Sequence, residues 1–216
     1  MRIGILGTGA LGSTLARGWA SAGHEVVLAG RSRQKADEIA ARLGSRASCA
    51  SLSDAVREVD AVLLAISWTG VAEVLDAVGA ARGNLAGTVV IDPTNPVEHG
   101  VGEHLLPAGS AAEAISSWAP GARVVKALNL HPAQTWSAPA TGVTVPFATD
   151  DHGAARSAAE LVGSLGATAH RIGGIGRARQ LEELAGVVIA LAAAGIDPQS
   201  VVPGFHRVTT RVPMVP

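Results

Sequence analysis

Apolar residues in this chain come in short unbroken runs separated by longer stretches of mixed character. Arg2-Ile3-Gly4-Ile5-Leu6 and His24-Glu25-Val26-Val27-Leu28-Ala29 read as short buried strands, and a further short strand falls near Arg46 to Cys49. Asp60-Ala61-Val62-Leu63-Leu64-Ala65-Ile66 is continuously apolar, as are Thr88 to Ile91 and Arg123 to Leu128. Strands buried on both faces carry this pattern, because helices cover each side of a parallel sheet. The segments between them read as helices. Ser13 to Trp19 is helix-compatible, and Ser32 to Leu43 turns Ile39, Ala40 and Leu43 inward before a stop at Gly44. Ser53 is expected to cap a brief helix to about Glu58. A helix near Val71 to Ala80, a Pro- and Gly-rich loop from Asp92 to Gly109 and a short helix near Ala111 to Ser117 follow. The expected fold class is α/β, a doubly wound parallel sheet.

The remainder differs in kind. Val143 to Ala148 reads as a strand, Asp151 to Leu165 as a helix and Ala167 to Ile172 as a last strand that extends the same sheet. Arg177 to Ala194 is a long helix with Gly195 as its C-cap, and the tail from Ile196 to Pro216 is broken by prolines and expected to be irregular. The division expected is residues 1-140 as the main domain, with 141-216 a small C-terminal helical and strand extension that completes the sheet and a second-substrate cleft.

The first turn carries the most specific signal. Gly7-Thr8-Gly9-Ala10-Leu11-Gly12 stands directly after a strand and opens a helix, and a second strand completes the βαβ unit. The first glycine permits the tight turn, the second lets backbone approach a pyrophosphate and the third allows close helix packing, which is a dinucleotide fingerprint. An acidic residue at the end of the second strand would accept bonds from a ribose 2′-hydroxyl. Here that place holds Gly30-Arg31-Ser32-Arg33, with Lys35 a helical turn further on. Cations there suit a 2′-phosphate, so Arg31, Ser32 and Lys35 point to NADP(H) over NAD(H).

Composition narrows the partners. In 216 residues with net charge -1, any basic site must be local, and nucleic-acid binding is not expected. The single cysteine, Cys49, excludes an intramolecular disulfide. No signal peptide is visible at the N-terminus, and Leu184 to Ile196 falls short of the roughly 20 apolar residues that cross a bilayer, so a cytoplasmic protein with no membrane partner is expected. The seven histidines are scattered, and His99 and His104 lack a paired acidic framework, so no metal site is expected.

Cofactor and substrate should meet at the carboxyl ends of the strands. Ser67 and Trp68, Asn95 of the Asp92-Pro93-Thr94-Asn95-Pro96 loop, and Ala127 are expected beside the cofactor. Thr94, Asn129, His131, Pro132 and Arg177 are expected beside a second substrate. The loop offers hydroxyl and amide groups held by fixed proline φ angles, and Trp68 either lies beside the cofactor or shields the sheet end. The chain has no tyrosine, so a Tyr-Lys acid-base pair is impossible, and His131 and Lys126 are the candidate proton donors. This scarcity suits direct hydride passage between two rings, which needs orientation and exclusion of water more than a general acid.

The opening IGILGTGALGSTLARGWASAGHEV, the GRSRQKA segment, the Ser67-Trp68 tip, the DPTNP loop, VVKALNLHPA and GIGRARQLEELAGVVIAL together resemble the NADPH-dependent reductases of the deazaflavin coenzyme F420, the F420H2:NADP oxidoreductase family. The resemblance runs over nearly the full length. It implies a Rossmann NADP-binding fold, hydride transfer between nicotinamide C4 and the central ring carbon of coenzyme F420, and a homodimer. One departure stands out: family members tend to carry an Asp-Ala-Gly-Pro-like turn before the last helix, where this chain has Ile172-Gly173-Gly174-Ile175-Gly176. Arg171, Arg177, Arg179, Arg207 and Arg211 are candidates to meet the anionic F420 tail, or else to pair with Glu182, Glu183 and Asp197. The competing readings are an NADPH-dependent imine or carbonyl reductase, with His131 or Lys126 as donor, and a non-catalytic NADP(H)-sensing module.

Overall fold

The computed structural model describes residues 1-201. Strand β1 (Arg2–Leu6) leads into helix α1 (Ala10–Ser21), then β2 (Glu25–Ala29), α2 (Arg33–Leu43) and β3 (Ala47–Cys49). The sheet continues through β4 (Ala61–Leu64), α3 (Val71–Ala77), β5 (Val89–Asp92), α4 (Ala111–Trp118) and β6 (Arg123–Lys126). The last elements are β7 (Thr144–Ala148), α5 (His152–Ser164), β8 (Thr168–Gly173) and α6 (Ala178–Ala193). All eight strands form one sheet in the order β3-β2-β1-β4-β5-β6-β7-β8. Helices α1, α2 and α5 pack one face through Leu15, Trp19, Ala36, Leu161 and Val162. On the other face α3, α4 and α6 bury Val71, Leu75, Ile115 and Ala178.

Local chemistry explains the helix starts. Ser32 Oγ accepts the Lys35 backbone N–H at the start of α2, and Gly44, at φ +77°, ends that helix in a conformation glycine adopts without strain. Ser110 accepts the Glu113 N–H while its hydroxyl donates to the Glu113 carboxylate, so α4 begins on a reciprocal cap. Asp151 caps α5 at the Ala154 N–H, and that bond holds its carboxyl below the usual range.

Three expectations are corrected. The segment 52-58 forms hydrogen-bonded turns and no helix, and Ser51 rather than Ser53 holds it, accepting the Asp54 N–H at 3.1 Å. The sheet is also not wholly parallel. Strands β1 to β6 run parallel, whereas β7 meets β6 antiparallel through a single pair, Lys126 with Ala148, and β8 then runs parallel to β7. Residues 127-143 carry no α-helix to return the chain, and a parallel partner needs such a crossover. Leu128, left-handed at φ +65°, turns the chain away after β6, and Pro146 has no N–H to lend, so the ladder stops after one pair. Finally, α3 is shorter than expected, with 3-10 turns at Trp68–Gly70 and Ala80–Arg82 on either side.

The loop from 93 to 109 lies directly on α6. A Cβ added at Gly102 would stand 2.1 Å from the Gly186 carbonyl oxygen, and one at Gly186 would stand 2.2 Å from that of Gly102. Backbone touches backbone there, which only glycine on both sides permits. Among the described residues no helix is long and apolar enough to cross a membrane, and no group of His, Cys, Asp and Glu could hold a metal ion.

Candidate functional site

The turn between β1 and α1 gives each glycine a separate task. Gly7 has φ +122°, and a Cβ there would lie 2.0 Å from the Ala65 carbonyl oxygen, so the turn closes against β4 only without a side chain. Gly12 lies in α1, where a Cβ would meet the Gly7 oxygen at 2.2 Å and the Ala65 Cβ at 3.0 Å. Gly9 is different, because nothing lies within 4 Å of its Cβ position and its backbone is extended at φ -74° and ψ -174°. Glycine there leaves free space where a phosphate would rest. No side chain caps α1 and no acid stands in its first turn, so the exposed N–H groups around Ala10 and Leu11 present partial positive charge to an anion.

Beside this turn the end of β2 closes in through Gly30, whose Cβ would touch the Thr8 side chain at 3.2 Å. Arg31 and Lys35 are exposed there. Arg33 is turned toward Asp37 at 3.8 Å, an exposed pair of small energetic weight. The structure therefore brings the Gly7 to Gly12 turn together with Arg31, Ser32 and Lys35, and its residues fit a dinucleotide carrying a 2′-phosphate.

The tips of β5 and β6 are organised by buried charge. Lys126 has no exposed surface, and its ammonium lies 3.0 Å from Asp92 Oδ2 and 2.7 Å from Glu182 Oε1, with the Thr94 carbonyl as a further acceptor. Asp92 Oδ1 accepts the Thr94 N–H at 2.8 Å and its hydroxyl at 2.6 Å. Glu182 in turn accepts the first N–H of α4, from Ala111 at 3.0 Å, and lies 3.0 Å from His104 Nε2. Every member is buried and partnered. Lys126 is thereby removed as a candidate proton donor, since it reaches no solvent and all its hydrogens are committed. Thr94 is buried and its hydroxyl hydrogen goes to Asp92, so toward a ligand its oxygen is an acceptor only.

Sequence reading missed Glu182 as a member of this cluster. The signal was present: in α6 it falls on the face of Ala178, Leu181, Ala185 and Gly186, all of them buried. An acid on an apolar helix face needs a buried partner, and the lysine inside an apolar strand needed one too.

Past β6, Asn95 Nδ2 donates to the Asn129 carbonyl at 2.9 Å, while Asn129 Nδ2 donates to Asn95 Oδ1 at 2.9 Å and to the Leu181 carbonyl at 3.0 Å. Asn95, Ala127 and Asn129 thus gather at adjoining strand ends. His131 is half-buried with Nε2 3.3 Å from the Thr144 carbonyl, and its ring stands edge-on to Trp136. A carbonyl only accepts, so that nitrogen carries a hydrogen and donates it to Thr144, which leaves Nδ1 as the ring's remaining polar atom. Pro132 is exposed at the start of a 3-10 turn, Ala133–Ser137. Trp68 stacks on Trp118 at 5.6 Å and packs on the α3 and α4 face, while Ser67 is exposed and lies 3.2 Å from the Thr69 hydroxyl. Trp68 thus stands over the α3 and α4 face of the sheet and is only half-buried there.

The arginines divide. Arg171 gives two hydrogen bonds to the Thr149 carbonyl, at 3.1 and 2.7 Å. Arg179 pairs with Glu183 at 2.8 Å and donates to the Leu106 and Gly109 carbonyls, clamping the loop to α6. Arg177 is exposed, and among the described residues its side chain bonds only Gln180. Arg207 and Arg211 lie outside the described residues. Among the described residues Glu182 pairs with Lys126 and His104, and not with Arg171, Arg177 or Arg179. Cys49 is half-buried, and burial raises its thiol above the ordinary range, which favours the unreactive protonated form.

A mostly parallel sheet with helices on both faces, a glycine turn feeding an uncapped helix and a basic end to β2 define a Rossmann-type NADP-binding protein. Residues 2-96 match the model of the family described as NADP oxidoreductase coenzyme F420-dependent. A provisionally assigned F420-dependent NADP reductase of Arthrobacter sp. FB24 is 31% identical over 90% of this chain and 95% of its own, with a TM-score of 0.77. The chain belongs to the coenzyme F420-dependent NADP oxidoreductase family, and is an NADP-dependent oxidoreductase. A hypothetical protein of Sinorhizobium meliloti is 26% identical over 82% of this chain and 87% of its own, at TM-score 0.73. An imine reductase of Streptomyces aurantiacus, at 19% identity over 90% of this chain and 64% of its own, shares the fold at TM-score 0.69.

Two outcomes check this geometry. Gly9→Val places its side chain in open space, so stability should change by no more than about 1 kcal/mol while NADPH affinity falls at least roughly tenfold. Gly12→Val, which meets backbone, should instead fail in folding, and a folded Gly9→Val protein with undiminished affinity would show the turn to be merely structural. Lys126→Met leaves Asp92 and Glu182 buried without their cation, and should lower the urea-unfolding free energy by about 3 to 5 kcal/mol. A loss under about 1 kcal/mol would mean the ammonium does not hold these elements together.

Proposed function

We propose that the chain transfers a hydride between NADP(H) and the deazaflavin coenzyme F420. NADPH gives up a hydride from nicotinamide C4 and leaves as NADP+, while the deazaflavin accepts the hydride at its central ring carbon and the resulting ring-nitrogen anion takes its proton from water. The observation that carries the reading is the state of the proton donors at the strand ends. Lys126 is sealed in its ion pairs, and His131 directs its hydrogen at the Thr144 carbonyl. Around them lie the Asn95 and Asn129 amides, backbone and the exposed Ser67 and Thr69 hydroxyls, which can orient rings. A carbonyl or imine reduction ends with a protonated oxygen or nitrogen and is helped by a positioned donor, a part that Lys126 in its ion pairs does not play. Family membership and the likeness to the Arthrobacter protein support the same reading.

In this proposal the α1 N-terminus seats the pyrophosphate, Arg31, Ser32 and Lys35 hold the 2′-phosphate, and Ser67, Asn95 and Ala127 flank the nicotinamide. Asn129, Pro132 and the exposed Arg177 border the second ring and its anionic tail. Arg171 and Arg179, already bonded to carbonyls, serve the fold and not the tail.

Anaerobic mixing with NADPH and coenzyme F420 should bleach the deazaflavin absorbance, with raised ionic strength increasing the KM for F420 more than for an analogue lacking the charged tail. Turnover of an imine or carbonyl without any deazaflavin reaction would replace this reading with the reductase alternative. Arg31→Ala should weaken NADPH binding roughly ten- to a hundredfold and leave NADH nearly unchanged, since only NADPH carries the extra phosphate. Equal weakening of both, measured by calorimetry, would take Arg31 out of the phosphate site.

A further inference from the structure

The paired carboxamides of Asn95 and Asn129 are oriented by backbone, which removes the usual ambiguity between amide nitrogen and oxygen. Asn95 faces the Asn129 carbonyl and Asn129 faces the Leu181 carbonyl, so each must present its nitrogen there. Both hydrogens of Asn129 Nδ2 are then used, one on Leu181 and one on Asn95 Oδ1. Asn129 Oδ1 is left over. The residue is 8% exposed, and no donor among the described residues reaches that oxygen. Native interiors rarely strand a buried acceptor in this way.

A second irregularity lies next to it in the chain. Leu128 is buried at φ +65°, a region that branched residues seldom occupy and that strained functional sites often do. The strain sets Asn129 at the carboxyl end of β6, beside the tip of β5, on the edge where such sheets bind ligands. β5 is next to β4 and β4 next to β1, whose turn seats the phosphates, so a ring extending from that turn along the strand ends reaches Asn95 and Asn129 before any residue of β7.

We infer that Asn129 Oδ1 is the acceptor for an N–H of the nicotinamide carboxamide, making Asn129 the residue that fixes the rotation of that ring. The inference rests on the NADP(H) reading of the site. A bare acceptor selects a donor: an amide N–H satisfies it, whereas a methyl group or a carbonyl oxygen in the same place leaves it unpaired. Asn95 is the positioning residue behind it, because its side chain holds the Asn129 carboxamide in plane.

Binding can be read without turnover. NADP+, its 3-acetylpyridine analogue, in which a methyl replaces the carboxamide nitrogen, and its thionicotinamide analogue, which keeps that nitrogen, are titrated calorimetrically into the wild-type protein and Asn129→Leu. In the wild type the acetylpyridine compound should bind roughly three- to tenfold more weakly than NADP+, with the thionicotinamide compound close to NADP+. Asn129→Leu should bring NADP+ down to the acetylpyridine level and leave that analogue unchanged. If Asn129→Leu does not fold, Asn129→Ser, which also withdraws Oδ1 but keeps a hydroxyl toward Leu181, makes the same comparison. Equal affinity of wild type for NADP+ and the acetylpyridine analogue overturns the inference while leaving NADP binding intact, as does a penalty that survives in the variant. Failure of all three dinucleotides to bind the wild type would overturn the NADP(H) reading itself.

Discussion

The contact on which the carboxyl edge of this sheet depends is the buried ammonium of Lys126 between the carboxylates of Asp92 and Glu182. Removing ions from water costs several kcal/mol each, and the attraction offsets that cost only when every remaining hydrogen-bonding position is filled. They are filled here by Thr94, Ala111 and His104. Each partner comes from a different element, so satisfying the charges fixes β5 to β6, the following loop to both, and the starts of α4 and α6 over them. The Gly102 and Gly186 contact and the Arg179 clamp then press the same loop onto α6. An apolar substitute of similar volume could contribute comparable stability, but it would not specify which loop meets which helix.

That arrangement shapes the chemistry available at the strand ends. A lysine at the end of a central strand would ordinarily be a candidate acid. Burial among two carboxylates makes it a fixed counter-charge instead, and the tips are left with neutral amides, backbone and hydrophobic surface. Such a lining suits the orientation of planar rings.

Much of the fold could be read from the chain because its signals are local. Continuous apolar runs located the strands of the core, and Ser32, Gly44, Asp151 and Gly195 marked helix ends by capping chemistry that needs no tertiary context. The glycine turn was readable for the same reason. Strand direction was not, since Val143 to Ala148 has the same pattern whichever way it runs; the missing helix before it carried the information. The turns at 52-58 were mistaken for a helix because Ser53 has the right residue type, though the bond is made by Ser51. At the candidate site, the grouping of the glycine turn with the cations after β2 was legible because both stand at the adjoining ends of one βαβ unit. The fates of Lys126, Thr94 and Arg171 depended on partners far along the chain: Glu182 lies 56 positions after Lys126, and only packing brings the two together.

The two halves of the site therefore rest on different physics, and they constrain function unequally. Backbone N–H groups at the start of α1 and cations at the end of β2 present positive charge, which suits the phosphates of NADP(H). The second half is set by what the buried charges leave unused. A phosphate-binding turn can be altered one residue at a time, as Gly9 stands free of its neighbours. The strand ends cannot, because Asn95, Asn129, Leu181, Glu182 and Lys126 are tied through shared hydrogen bonds and adjacent backbone. Altering the strand ends thus requires changing residues in groups, whereas the end of β2, where Arg31 and Lys35 are exposed, can be altered one residue at a time. The two regions are separable in this fold because only the strand ends are coupled to the buried ion pairs.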